Sequence, residues 1–351
     1  MSIVIDDKKI TDINISNKNV QKIVDILTNK IIFEKKKPVS NEYFYIENTY
    51  NGSNTISLKT TKGSGNITGS HATQLQYSKD KETWKTITLS GTNTIPMNSG
   101  ERVYFRNDSG SFNWYRNSRD RFYTQIKCSK NHKVGGNINS LLDYNNYNVA
   151  ITPYCFYVLF YENKYLTDAS ELIFSKTSLE WSCCQNMFYG CTSLTTAPKL
   201  PATTLASRCY YGMFDGCTSL TTAPKLPATT LAINCYYSMF SSCTSLTTAP
   251  TLPATTLASN CYQYMFYGCT SLTTAPALPA KTLVEYCYQS MFYGCTSLNN
   301  VTVYADDISA LDCTTNWLSN VASSGTFRNL GSVIYPTGAS GIPSGWTEVK
   351  N

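Results

Sequence analysis

MFYGCTSLTTAPKLPATTL, Met187 to Leu205, decides the fold, because nearly the same words return at Met213, Met239, Met265 and Met291, each copy 26 residues after the last. A fixed period of this length belongs to stacked architectures, in which a unit too small to bury its own apolar face shares one core with its neighbours. Aligning the copies shows which columns that core owns. One cysteine column holds Cys183, Cys209, Cys235, Cys261 and Cys287, and a second holds Cys191, Cys217, Cys243, Cys269 and Cys295. Between them runs an invariant pair: Met213-Phe214, Met239-Phe240, Met265-Phe266. Leucine columns follow, as at Leu220, Leu226 and Leu231. Degenerate units continue the array backwards (Cys155 before Leu159-Phe160) and forwards (Cys313 and Trp317), which gives about seven coils of 26 residues.

Within a unit, SLTTAPKLP (Ser219–Pro227) reads as a short strand closed by prolines. SRCYYGMFDGC (Ser207–Cys217) reads as a short helix with Ser207 as N-cap, because Cys209, Met213 and Cys217 fall at i, i+4 and i+8. The phrase MF-x-x-C-T-S-L, followed by LP and a further leucine, resembles the BspA-type leucine-rich repeat, whose usual form is AF-x-x-C-x-x-L. This chain differs by carrying Met where Ala is usual and by three extra residues per coil. The resemblance covers roughly Pro153 to Leu318 and implies a leucine-rich-repeat solenoid.

The fourteen cysteines raise disulfides or metal as alternatives. The columns recur without histidine and without any C-x-x-C pair, whereas zinc needs ligands converging on one point. Cysteines at apolar positions are read as small core hydrophobes, with Cys209, Cys217, Cys235, Cys243, Cys261, Cys269, Met213, Phe214, Met239 and Phe240 as the structural ladder. No cofactor is called for.

The rest of the chain divides into an N-terminal attachment segment (1–39), an antiparallel β-sandwich (40–148), the repeats (149–320) and a C-terminal cap (321–351). The overall expectation is a mainly β protein with short helices. In the first segment, KIVDILTNKIIFEK scans as two strands around Thr28-Asn29, against a bland alternative of a poorly ordered tail. Its size calls for completion by a partner or neighbouring subunit. In the second, EYFYIEN, TISLKT, TQLQYSKD, TWKTITLS, ERVYFRND and FYTQIKCS are short alternating runs between Gly, Asn, Asp and Ser clusters. LQYSKDKETWKTI reads as a hairpin with Trp84 packed inward.

The N-terminal MSIVIDDKKITDINIS has no apolar h-region or cleavage site, and no stretch approaches a membrane span, so a soluble protein made in a cytoplasm is expected. The order of parts (short segment, QYSKDKETW…ERVYFRN, repeats, and GIPSGWT at Gly341–Thr347) resembles virion proteins of phages that infect gut Bacteroides-type bacteria. That resemblance implies a tail or head fibre or appendage, localised to the virion and released by lysis. It implies contacts with other virion proteins through the N-terminal region. Fibres are often trimeric, but no heptad pattern here forces a trimer.

Catalytic patterns are missing from the sequence. His71 and His132 have no motif around them and are expected at the surface. Depolymerising fibres need two acids facing one bond, yet from Met187 to Asn300 the acids are Asp215 and Glu285, in different coils. Asp306 and Asp307 are adjacent, which points them apart in an extended chain. No P-loop, dinucleotide fingerprint or nucleophile elbow occurs, and an enzyme is not expected. Arg116, Arg119, Arg121, Lys127 and Lys130 beside Trp114, Tyr115 and Tyr123 offer an anionic-ligand patch, with a hairpin carrying solvated charges as the alternative. The net charge of +6 is too mild to draw the chain to nucleic acid.

The variable columns of the repeat are where a ligand would be read. Tyr189, Asp215, Ser241, Tyr267 and Tyr293 form one column, beside Tyr211, Ser238 and Tyr264. Tyrosine offers rigid amphipathic contacts to glycan or protein. Thr195, Thr221, Thr247 and Thr273 form a hydroxyl ladder. At about 4.8 Å per coil the face spans roughly 30 Å. A virion structural protein whose repeats bind a host-surface glycan or protein is expected, with a purely structural virion component or a bacterial surface adhesin as the alternatives.

Overall fold

The computed structural model describes residues 22–24, 31–34, 43–64, 74–107, 112–115, 119–147 and 149–350. The chain separates into two compact units, Met1–Ser40 and Asn41–Asn351. In the first, β1 (Lys22–Val24) and β2 (Ile31–Glu34) pair antiparallel, with Lys22 opposite Glu34 and Ile23 opposite Phe33. These are the two strands that the sequence places there; the turn at Thr28-Asn29 and His71 lie outside the described residues.

The second unit begins with two sheets. β3 (Phe44–Asn48), β4 (Asn54–Lys62), β5 (Gln74–Ser78), β6 (Lys85–Thr88), β7 (Thr92–Met97), β8 (Arg102–Arg106), β9 (Trp114–Tyr115), β10 (Arg121–Cys128), β11 (His132–Asn137) and β12 (Leu166–Ile173) distribute between them. The four-stranded sheet has the order β7-β4-β10-β9, and the six-stranded sheet β12-β11-β3-β8-β5-β6. All pairs are antiparallel except β11–β12, which is parallel. Alternation sets which residues face inward: Phe122, Thr124, Ile126 and Cys128 of β10 are buried, with Ile56 and Leu58 of β4. These residues join Phe44, Ile46, Val103 and Phe105 in a core that runs without a break into the repeats. Phe44 lies 6.0 Å from Phe160, and the Ile126 N–H donates to the Leu159 carbonyl at 2.7 Å.

The hairpin read from LQYSKDKETWKTI is present as β5–β6, but Trp84 does not enter this core. It packs with Tyr43, Tyr45, Tyr104 and Tyr144 in a separate cluster. There the Arg106 guanidinium sits 3.8 Å over the indole, a cation–π contact that suits a half-buried ring better than a dry interior.

In the repeats the expected helix is absent, and no α-helix occurs among the described residues. Ser207–Cys217 is instead a run of overlapping turns. The N–H groups of Cys209, Tyr211, Met213, Asp215 and Cys217 each donate to the carbonyl three residues back. Those of Arg208, Tyr210, Gly212, Phe214 and Gly216 donate to the next coil, as in Phe214 to Met239 at 2.9 Å. Every fourth residue (Arg208, Gly212, Gly216) has a left-handed φ, and the same triplet recurs in each coil, as at Asn234, Ser238 and Ser242. Gly, Asn and Ser dominate these positions, and Gly and Asn are the residues that tolerate that region at least cost. A four-residue turn period brings Cys209, Met213 and Cys217 to one face as a helix would, which is why the spacing misled. Ser207 therefore caps no helix; its carbonyl accepts from Ser182 in the preceding coil.

The expected strand at SLTTAPKLP is likewise reduced. Single parallel bridges, Thr222 to Thr248 and Thr230 to Thr256, stand where the prolines leave donors available. Regular parallel pairing appears at the far end, in β13 (Asn300–Val303), β14 (Gly325–Asn329) and β15 (Trp346–Lys350). Inside the coils two aromatic ladders run lengthwise. Phe160, Phe188, Phe214, Phe240, Phe266 and Phe292 stack at 5.2–5.7 Å. Tyr210, Tyr236, Tyr262 and Tyr288 continue through Trp317 to Tyr335.

Candidate functional site

All fourteen cysteines are free and buried. The second column does more than fill space. The thiols of Cys191, Cys217, Cys243, Cys269 and Cys295 donate at 3.0–3.2 Å to the carbonyls of Phe160, Phe188, Phe214, Phe240 and Phe266 in the preceding coil. Burial pushes the Cys191, Cys235 and Cys295 thiols up to about 12, so thiolate chemistry is suppressed there. Met213, Phe214, Met239 and Phe240 are fully buried with them.

The outward residues of the turn runs form the tyrosine face. Tyr189 stacks on Tyr161 at 4.8 Å, and Tyr267 stacks on Tyr293 at 5.0 Å. Between those two pairs the same column holds Asp215 and Ser241, which carry no ring. In these two coils the rings move four residues sideways: Tyr211 stacks on Tyr237 at 4.5 Å. Tyr264 then links Tyr237 to Tyr267 through edge contacts at 5.5 and 6.0 Å. Tyr211, Tyr237, Tyr264, Tyr267 and Tyr293 are thus one continuous aromatic run.

Two placements differ from the sequence reading. Tyr211 aligns with Tyr237 and Gln263, whereas Ser238 and Tyr264 share the left-handed column of Gly212. Tyr237 and Tyr161 belong to the face and were missed, although Tyr237 stands one period after Tyr211. Ser241 is only 8 % exposed, so it floors the face rather than projecting from it.

Asp215 is the chemically distinct group of this face. Burial pushes its carboxyl up to about 6, against a side-chain hydrogen bond from Ser241 that holds it down. Its charge reaches the phenols of Tyr161, Tyr211 and Tyr237 and helps to raise them. Among the described residues no lysine or arginine forms an ion pair with it.

On the other side of the coil, Thr195, Thr221, Thr247 and Thr273 are exposed in line. Their hydroxyls are partly engaged: Thr195 donates to the Thr167 carbonyl at 2.9 Å and Thr247 to that of Thr221 at 3.2 Å. A shallow groove of about 380 Å³ runs beside them between Thr247–Pro253 and Thr274–Pro279.

The remaining candidates fall away from any shared centre. His132, expected at the surface, is 1 % exposed in β11. Its Nδ1 lies 3.0 Å from the Lys130 carbonyl and its Nε2 3.0 Å from the Asn163 amide nitrogen, the pattern of a neutral ring. Burial lowers its pKa to about 4. Asp306 pairs with Lys281 at 3.2 Å, while Asp307 accepts from the Ser309 N–H at 2.9 Å, so the two carboxylates serve separate contacts. In the basic stretch, Lys130 lies 5.6 Å from the Tyr50 ring, and Arg116 lies outside the described residues. A charged cleft of about 500 Å³, lined by Tyr45, Arg102, Glu171 and Lys199, has no counterpart in the sequence reading. Lys133 lies 3.4 Å from both Glu47 and the cleft residue Glu171.

With this geometry in view, residues 149–282 and 182–312 match the family described as the BspA type leucine rich repeat region, in six copies. Leucine-rich-repeat units of that type therefore occupy the C-terminal half. Comparison with curated proteins and with solved structures gave no match. Among the described residues no helix is long and apolar enough to cross a membrane.

Proposed function

We propose that this chain is a non-enzymatic, surface-type binding protein whose coils stack into a solenoid and present the tyrosine face to a protein or glycan of a host surface. The carrying observation is the unbroken run Tyr211–Tyr237–Tyr264–Tyr267–Tyr293, aromatic area held rigid on a packed scaffold with little charge around it. Preorganised tyrosines lose little entropy on binding, so they suit recognition better than flexible side chains do. The repeat match supports an adhesion-type, protein-binding role, and the family is typically non-enzymatic. The two N-terminal sheets, read as a sandwich, and the β1–β2 segment would hold the array on its carrier. We assign that carrier to a phage particle, assembled in the host cytoplasm, on the sequence resemblance over the whole chain.

The test compares the full chain with a Tyr211→Ser/Tyr237→Ser double variant for saturable binding to whole bacterial cells. Loss of binding by the double variant, with an unchanged melting transition, supports the reading. Equal binding by both, or no binding by either together with retained incorporation into particles, replaces it with a purely structural role.

A further inference from the structure

The sideways step in the tyrosine stripe has a chemical consequence. Wherever the outer column carries a ring, that ring is stacked on its neighbour: Tyr189 on Tyr161 and Tyr267 on Tyr293. The second face of Tyr189 is turned toward the next coil, where Asp215 stands in the ring's place. Tyr211 lies four residues before Asp215 in the same turn run, and Tyr237 stacks beneath Tyr211 in the coil after. Ser241, 8 % exposed, closes the floor beside the carboxylate. The result is a stretch of the face, here called the Asp215 bay, in which one carboxylate takes the place of a ring between the Tyr161–Tyr189 and Tyr211–Tyr237 pairs.

A carboxylate that is partly withdrawn from water and forms no ion pair is held at a cost, and that cost falls when a cation is supplied. Aromatic faces beside it add quadrupole attraction for the same kind of group. Hydroxyl-rich ligands would satisfy the carboxylate's acceptors but leave its charge unpaired. We propose that the Asp215 bay captures a lysine side chain of a protein partner, with the ammonium on Asp215 and the aliphatic stem against Tyr189 and the Tyr211–Tyr237 pair. The inference rests on the reading of the tyrosine face as the protein-binding surface and names what that surface selects. Its position near the middle of the array fits the role of a register-fixing contact: the tyrosines supply sequence-tolerant area, and Asp215 supplies a charged specificity element within the outer column.

The occupied bay should also titrate differently from the empty one. Groups that face Asp215 are the phenols of Tyr161, Tyr211 and Tyr237 and the buried thiols of Cys217, Cys243 and Cys269, with Glu162 and Arg208 acting on the flanking tyrosines. Burial raises these phenols and thiols, so they do not change charge between pH 5 and 7, and an Asp215→Asn variant checks that a change in that window reports Asp215.

The experiment titrates the full chain with a capped Gly-Lys-Gly peptide, its ε-acetylated twin and a glucosamine oligomer, following the Asp215 carboxyl carbon by NMR. The amine peptide should saturate, lower the Asp215 titration midpoint and bind at least about tenfold more tightly than its acetylated twin. Asp215→Asn and Tyr189→Ser should each remove about tenfold of that affinity while the chain stays folded, with the Asp215→Asn melting transition at or above that of the parent chain at pH 7. Equal binding by the acetylated twin, unchanged binding by Asp215→Asn, or no saturation with the amine peptide overturns the proposal, as does tighter binding of the glucosamine oligomer. Whole-cell binding that survives Asp215→Asn but is lost in Tyr211→Ser/Tyr237→Ser would sink the lysine assignment and leave the binding face standing.

Discussion

Replacing Gly216 by alanine distinguishes the turn run from a helix by the sign of one number. In a helix interior, Gly→Ala gains about 1 kcal/mol of stability. In the turn run Gly216 has φ +74°, and an L side chain in that region costs about 1–2 kcal/mol. Sterics do not confuse the comparison, because an added Cβ meets only the Gly190 backbone at 3.6 Å, ordinary contact. Alanine also restricts the unfolded chain, which returns about 0.4–1 kcal/mol. The net expectation is a loss of about 1 kcal/mol, against a helix-based gain of the same size. Gly294, at φ +74° with Gly268 3.7 Å away, is an equivalent site three coils on, so Gly216→Ala/Gly294→Ala should lose about 2 kcal/mol. Gly212 is unsuitable, because a Cβ there would run into the Asn186 carboxamide. Urea denaturation of the full chain, followed by near-ultraviolet circular dichroism, measures the effect. A stabilised double variant would refute the left-handed assignment and with it the inter-coil hydrogen-bond scheme.

Four further outcomes follow from burial and charge. An Ellman assay should find none of the fourteen thiols reactive in the native chain and all of them after unfolding; rapid reaction of even one ladder cysteine would contradict the packing. Phe240→Ala removes a rung stacked on both sides and should cost about 3–5 kcal/mol in the same denaturation assay, far more than a surface change. His132 has a folded pKa below its unfolded value, so the stability it contributes is complete above pH 6.5 and is lost as pH falls toward 4, by about 3 kcal/mol, and a His132→Asn variant should flatten that part of the pH–stability curve. Asp215 has the opposite sign: its folded pKa is raised to about 6, so its penalty is absent below pH 3.8 and grows as pH rises through 6, and Asp215→Asn should stabilise the chain by about 1–2 kcal/mol at pH 7. A variant that gains stability while losing a ligand is the pattern expected of a functional group held at a cost.

Residues fixed by packing were readable from the column pattern, and residues fixed by backbone geometry were not. Cys209, Met213, Phe214 and Cys217 repeat at 26 residues because one shared core demands it, and all are buried. The helix reading failed because spacings of four suit both a 3.6-residue helix and a four-residue turn cycle. The signal that separates them was present in Gly212, Gly216, Asn234, Ser238 and Ser242, all weaker helix formers than Ala or Leu, of which Gly and Asn also suit a left-handed column. His132 was misplaced because its neighbours in KNHK are charged, while its own ring points inward from β11, where the alternation of a strand overrides local composition. Trp84 went to the outer aromatic cluster because three cations, Lys81, Arg102 and Arg106, lie over rings on that face and make it a favourable place for an indole.

The four-residue cycle also explains where variation is permitted. Taking the run from Cys209, the first member of each cycle (Cys209, Met213, Cys217) and the second (Tyr210, Phe214) point into the core, and both are repeated almost unchanged from coil to coil. The fourth (Gly212, Gly216) must accept a left-handed backbone, which confines it mainly to Gly, Asn and Ser. The third (Tyr211, Asp215) has an ordinary backbone and lies outside the packed columns, although Ser241 and Gln263 there are nearly covered, so it is the position of each cycle least dictated by packing or conformation. Its N–H bonds three residues back and its carbonyl accepts from the preceding coil whatever its side chain is, so changing it leaves the hydrogen bonding intact. The sequence Tyr189, Asp215, Ser241, Tyr267, Tyr293 is therefore written on a scaffold that tolerates any of these residues at that site. The rings displaced around Asp215 still stack from coil to coil, Tyr211 on Tyr237 at 4.5 Å, so the jog keeps an inter-coil contact while leaving the outer column open to a carboxylate.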